Sequence, residues 1–189
     1  MSLEWIVLIA LLVPVSFAAY GIFSFNRLAT LRRRCQQAFA DVDVQLRYRH
    51  DLIPGLVEIA RSYAGHERGI IESVVRARTE ALKALAGEQR LEAETVLGAN
   101  IVKLLSVVES LPEMRASSHY ADLRSELVDV NHKIAAARRF WNLSAQEFNA
   151  SLDHFPGNLI GRNFGLSEQR SYDLGVERVF VEEAPAVKL

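Results

Sequence analysis

Histidines, carboxylates and serines at helical spacing come first, because a metal, a nucleophile or a general base would require them. Asp129 and His132 stand three apart, as do His119 and Asp122 in the reverse order. A di-metal carboxylate bundle needs two Glu-x-x-His pairs and two further glutamates on facing helices. Neither pair has a second copy, so solvated histidines are the simpler reading and no metal or cofactor is expected. Ser106, Ser110, Ser117 and Ser118 lack the strand-turn-helix elbow of an activated serine. His66-Glu67 lacks the second histidine of a zinc-protease helix. Gly161 and Gly165 flank Arg162 and Asn163 with no preceding strand and no P-loop lysine, so no phosphate cradle is expected. Asn142-Leu143-Ser144 and Asn149-Ala150-Ser151 match glycosylation sequons, but both fall in a helical pattern and read as coincidence.

Two constellations remain. Trp141-Asn142 and Phe148-Asn149 repeat an aromatic-Asn pair seven residues apart, which puts both pairs on one helix face. The aromatics are expected to pack, with each amide at the edge, bonding a neighbouring helix. Around Pro54, charge gathers at a helix irregularity: Asp43, Arg47, Arg49 and Asp51 precede it, and His66 and Glu67 follow. Proline removes a backbone donor and restricts Ile53, so a kink or break is expected there.

The elements that hold these residues are helices. Apolar residues recur at steps of three and four: Leu28, Leu31, Cys35, Ala38, Val42, Leu46, then Ile53, Leu56 and Ala60. Ile70, Val74, Ala77, Ala81 and Leu85 form a second series, and Leu97, Ile101, Leu104, Val108 and Leu111 a third. The fourth runs Tyr120, Leu123, Leu127, Val130, Ile134, Ala137, Trp141, Ser144, Phe148 and Phe155. That is the period of a bundle seam, whereas strands alternate every two residues. Gly65, Gly69, Gly87 and Pro112 fall between the series, Ser117 or Ser118 is a suitable N-cap, and Pro156-Gly157 closes the last. Short connections favour antiparallel neighbours, so the fold class is all-α: an antiparallel four-helix bundle with long first and last helices.

Ahead of the bundle, Trp5 to Phe25 carries no charge, and Arg27, Arg32, Arg33 and Arg34 follow. About 20 apolar residues span the hydrocarbon core of a bilayer. Met1-Ser2-Leu3-Glu4 lacks the positive n-region of a cleavable signal, so a retained transmembrane helix is expected. It should continue into the first bundle helix, since Phe25 to Ala40 holds no breaker. Basic residues stay on the cytoplasmic side, which places the N-terminus outside and the bundle inside. Arg32, Arg33 and Arg34 form a membrane-surface cluster, each worth about 1 kcal/mol near an anionic leaflet. The division expected is residues 1–4 outside, 5–25 spanning, 26–165 bundle and 166–189 a partly flexible extension. One cysteine, Cys35, excludes an intrachain disulfide, and a net charge of −1 gives no nucleic-acid footprint.

These motifs together resemble the LemA family of bacterial membrane proteins. The resemblance starts at Phe25-Asn26-Arg27-Leu28, is densest in DVDVQLRYRHDLIPGLVEIARSYAGHE (Asp41 to Glu67), and resumes at VVRAR (Val74 to Arg78). It returns in KIAAARRFWNLSAQEFNASLDHFPGNLIGRNFG, Lys133 to Gly165. The family usually has Tyr where Trp141 and Phe148 stand, and often Glu where Asn131 stands. The resemblance implies a single-pass inner-membrane protein with a cytoplasmic four-helix bundle and without an established catalytic activity or cofactor.

The function expected is a non-enzymatic, membrane-tethered scaffold or adaptor, in envelope stress or membrane-protein quality control. Its partners would be membrane lipid and other membrane or cytoplasmic proteins, with oligomerisation open. Asp43, Arg47, Arg49, Asp51, Pro54, His66 and Glu67 would form the interaction surface. The competing reading is a hydrolase or ligand-binding bundle, which requires a concave pocket gathering His50, His66, His132 and nearby carboxylates.

Overall fold

The computed structural model describes residues 3–63, 67–84, 88–115 and 117–169. Their order is α1 (Leu3–Tyr63), α2 (Arg68–Lys83), α3 (Glu88–Glu109), the short α4 (Pro112–Arg115), α5 (Ser118–Asp153) and α6 (Gly157–Phe164). The protein is all-helical, with no strand among the described residues. Ser117 caps α5, its Oγ accepting from the Tyr120 N–H at 3.3 Å. Pro112 opens α4, a first-turn position where its missing N–H leaves nothing unpaired. Leu85, Gly65 and Gly87 lie outside the described residues.

The described chain divides into two compact units, one from Met1–Ala40 with Arg138–Tyr172, the other built on Asp41–Ala137. In the second unit four helices share one core. α1 gives Ile53, Leu56 and Ala60, α2 Ile71, Val74 and Ala77, α3 Leu97, Ile101 and Leu104, and α5 Tyr120 and Leu127. Fully burying such a side chain is worth about 1.5–3 kcal/mol, so the seam, rather than helix propensity, holds the unit together. The first unit packs Leu28, Leu31 and Cys35 of α1 on Phe148 and Leu152 of α5, with Ile160 and Leu166 closing over them. Phe39 meets Trp141 edge-on, ring centroids 5.3 Å apart. The Cys35 thiol donates to the Ser144 carbonyl at 3.1 Å, and burial pushes its pKa up, so it is a packed thiol.

α6 lies against the end of α5 because two glycines allow it. A Cβ on Gly157 would fall 1.9 Å from the Ser151 carbonyl oxygen, and one on Gly161 would meet Leu152 at 2.6 Å. Gly165, at φ 63°, then ends the helix, and the Leu166 N–H returns to the Gly161 carbonyl.

Three expectations need correction. Ile71, not Ile70, is the fully buried residue of its pair, because the α2 stripe continues through Val74, Ala77 and Ala81. Phe155 is 58% exposed, since α5 ends at Asp153 and Leu152 takes the inward place. Of the kink or break expected at Pro54, the break does not occur, and α1 continues to Tyr63.

Among the described residues, α1 is the one helix long and apolar enough to cross a membrane, and only 6% of its apolar window is buried. Leu8, Leu11, Leu12, Val13, Val15, Phe17, Ile22 and Phe23 are each more than half exposed. Monomeric soluble proteins rarely leave so much contiguous apolar surface to water.

Candidate functional site

The α1 core stripe has a gap between Leu46 and Ile53, and Arg49 fills it. Arg49 and its neighbour His50 are buried, with side chains 1% and 4% exposed. On α3, one turn before Leu97, stands Glu94, whose side chain is fully buried. Arg49 Nη2 donates to Glu94 Oε2 at 2.7 Å and to the Glu94 carbonyl at 3.1 Å. His50 Nε2 lies 2.8 Å from Glu94 Oε1, so both carboxylate oxygens are taken. From α5, Asn131 Oδ1 lies 3.5 Å from Arg49 Nη1, a long contact at the edge of hydrogen bonding. The network therefore joins α1 to α3 and reaches α5.

Burial alone would raise the Glu94 pKa. The His50 hydrogen bond and the Arg49 charge and hydrogen bond outweigh it and hold the carboxyl below its ordinary value of 4.5. An ionised acceptor fixes the proton on His50 Nε2, which must donate. Held low in pKa and with both oxygens occupied, Glu94 is a poor general base. The neighbouring groove, about 530 Å³, is lined by Ile53, Pro54, Val57, Arg61, Val75 and Arg78 among others, and not by this triad. The arrangement is suited to locking helices in register, the best-attested use of a buried polar network.

The same neighbourhood explains why α1 survives Pro54. A proline at this position leaves the carbonyl of His50, four residues back, without its helical donor. Arg78 of α2 supplies one: its Nε donates to the His50 carbonyl at 3.1 Å. On the preceding turns, Asp43 holds Arg47 at 2.7 Å and also pairs with Arg90 of α3.

The expected interaction surface is thus only partly a surface. Arg47, Asp51, Pro54 and Glu67 are exposed, and Asp43 is half-buried. Arg49 does not belong to it, because a charge with no water must face its partner Glu94. His66 lies outside the described residues. Among the described residues the convergence required for a catalytic pocket is not found either: His50 is buried, whereas His132, His119 and His154 face solvent. Asp129, the partner considered for His132, holds Lys133 at 2.7 Å instead. Among the described residues no group of three metal-ligating side chains gathers.

Trp141 and Phe148 are buried, as their spacing implies, and Asn142 and Asn149 sit half-buried beside them. Asn149 bonds a chain segment, not a helix. Its Nδ2 donates to the Gln169 carbonyl at 2.7 Å, and its Oδ1 accepts from the Gln169 N–H at 2.8 Å. That two-way clasp secures the stretch after α6. Arg32, Arg33 and Arg34 are exposed, Arg34 reaching Glu147 at 3.3 Å.

Glu94 and the fully buried Arg138 escaped the sequence reading. A signal for Glu94 was present: it continues the series Leu97, Ile101, Leu104 backwards by three. A charged residue on an apolar stripe, matched by an opposite charge on another stripe, is the mark of a buried pair.

The magnetosome proteins MamQ 2 and MamQ 1 of Paramagnetospirillum magneticum strain AMB-1 are each 23% identical to this chain, over 82% of its length. MamQ of Magnetospirillum gryphiswaldense is 22% identical over 84% of the chain and 68% of its own length. The chain spans 66% of each of the two Paramagnetospirillum proteins. The LemA family profile matches residues 38–189, which takes in Arg49, His50 and Glu94 together with the late aromatic-Asn helix, and the chain belongs to the LemA family.

Proposed function

We propose that this protein is a non-enzymatic, single-pass scaffold of a bacterial inner membrane, with its N-terminus outside and its helical domain in the cytoplasm. The observation that carries the reading is α1 itself: one helix that carries exposed, uncharged residues from Leu11 to Tyr20 and goes on to the buried Arg49–Glu94 pair. A lipid-facing stretch followed at once by Arg27, Arg32, Arg33 and Arg34 supports the orientation. The absence of charge from Trp5 to Phe25 supports the tether. The magnetosome relatives are in keeping with a membrane setting. The exposed face carrying Arg47, Asp51, Pro54 and Glu67 is the docking side for a membrane or cytoplasmic protein, in envelope stress or membrane-protein quality control.

Orientation is tested by placing a cysteine at exposed Val75 and adding a membrane-impermeant thiol reagent. Labelling only after the inner membrane is opened is expected, with the parent chain as the blank because its Cys35 is buried. Labelling in cells with only the outer membrane permeabilised would reverse the topology. Docking is tested by a photo-crosslinker at Asp51 in intact membranes. A discrete adduct that Arg47→Glu abolishes is expected, and an adduct pattern identical to that from a crosslinker at exposed Arg124 would remove the docking face.

A further inference from the structure

Phe155, expected in the core, lies outside it, and its surroundings give the exposure a use. A cleft of about 390 Å³ brings Phe155, Pro156 and Gly157 beside Tyr20, Phe23 and Arg27 of α1. Tyr20 and Phe23 belong to the uncharged run, and Tyr20 stands about 10 Å along the helix from Arg27. The turn between α5 and α6 thus reaches back past the first arginine to the depth of the run's last residues. From there α6 returns along α1, and its Phe164 ring packs on Phe25, centroids 4.8 Å apart. A second cleft, about 460 Å³, sets Phe164 and Leu166 beside Phe25, Arg32 and Arg33.

The inward side of α6 is spent on Gly157, Ile160 and Gly161. Outward it presents Leu159, 52% exposed, with exposed Arg162 one turn on, while Phe164 lies at the helix end against Phe25 and is still 62% exposed. Charge at this end is mainly positive. Arg27, Arg32, Arg33 and Arg162 are exposed, against Asp153 and Glu168, while Glu147 is occupied by Arg34. Aromatic and aliphatic residues with arginines just behind them are what the head-group zone of an anionic leaflet accepts.

We propose that the α5–α6 turn and the outer face of α6 are a second membrane contact, seated in the head-group zone of the leaflet that α1 leaves. Phe155 and Leu159 enter the glycerol-acyl boundary, and Arg27, Arg32, Arg33 and Arg162 hold lipid phosphates. The tight glycine seat on α5 is what keeps α6 at that depth. This contact rests on the reading of α1 as a membrane span, and the experiment separates the two.

The full chain is reconstituted in phosphatidylcholine–phosphatidylglycerol vesicles, with an environment-sensitive fluorophore on a single added cysteine at Leu12, Phe155, Leu159 or Leu143. Leu143 is exposed on α5 some 15 Å before the turn and serves as the aqueous reference. Spin-labelled lipids then quench from the head group or from deep in the acyl chains. Expected is quenching of Leu12→Cys by the deep label, and several-fold stronger quenching of Phe155→Cys and Leu159→Cys than of Leu143→Cys by the shallow one. If both turn reporters match Leu143→Cys while Leu12→Cys is quenched, the second contact is overturned and the anchor stands. An unquenched Leu12→Cys reporter overturns the anchor and this contact with it.

Discussion

Stranding a charge where no water reaches is among the most destabilising single changes available to a protein, and Arg49 and Glu94 each guard the other against it. Glu94→Gln keeps the shape but leaves the Arg49 guanidinium uncompensated, and the expected loss of stability is about 3–5 kcal/mol. Replacing both members, with Arg49→Met and Glu94→Met, removes the buried charges together and should restore most of that loss. Urea unfolding of the detergent-solubilised chain measures both. Acid acts on the same carboxylate. Because the folded state holds the Glu94 pKa below 4.5, its contribution is present above the ordinary carboxylate range. It is lost as pH falls through the depressed folded value, where the unfolded chain binds the proton first. The melting temperature of the parent chain should therefore fall more steeply below pH 4.5 than that of the double variant. Arg49 was hard to read as buried, since a charged residue among Arg47, Asp51 and other charges looks like part of a solvated cluster. Only its register on the stripe sets Arg49 apart.

At the scale of elements, α1 shows how a rule of local sequence is overridden by tertiary contact. The nine apolar positions from Leu28 to Ala60 are all buried, so the helix and its inward face were readable from spacing alone. That α1 runs on unbroken through Pro54 was not, because the donor that replaces the missing N–H comes from Arg78, on a different helix. This makes a double-mutant cycle decisive. Arg78→Met should destabilise the parent by about 2 kcal/mol, the value of a charged donor to a buried carbonyl. In the Pro54→Ala background, where residue 54 again has an N–H, the same change should be worth measurably less. Equal losses in both backgrounds would mean that Arg78 serves some other contact. α6 was legible only at its start, where Pro156-Gly157 closes α5, and not in the contact of Phe164 with Phe25, which depends on how closely Gly157 and Gly161 let α6 approach α5.

For the whole molecule, the division of labour follows from what each stretch leaves unsatisfied. The buried positions of Asp41–Ala137 close on one another and on an internal ion pair, whereas Leu11, Leu12, Val13, Val15 and Phe17 leave their side chains uncovered. That stretch is legible in the sequence, because an uncharged run of about 20 residues has the length of a membrane span. A scaffold of this kind requires lipid to cover that run. The most direct test is partition after an alkaline wash of membranes, comparing the parent chain with a Leu12→Arg, Val15→Arg variant. An arginine at the bilayer centre disfavours insertion by about 2.5–3.5 kcal/mol on translocon scales. The parent chain is predicted to stay in the membrane pellet and the double-arginine variant to be released. Release of the parent, or equally firm retention of the variant, would contradict the membrane anchor on which the account is built.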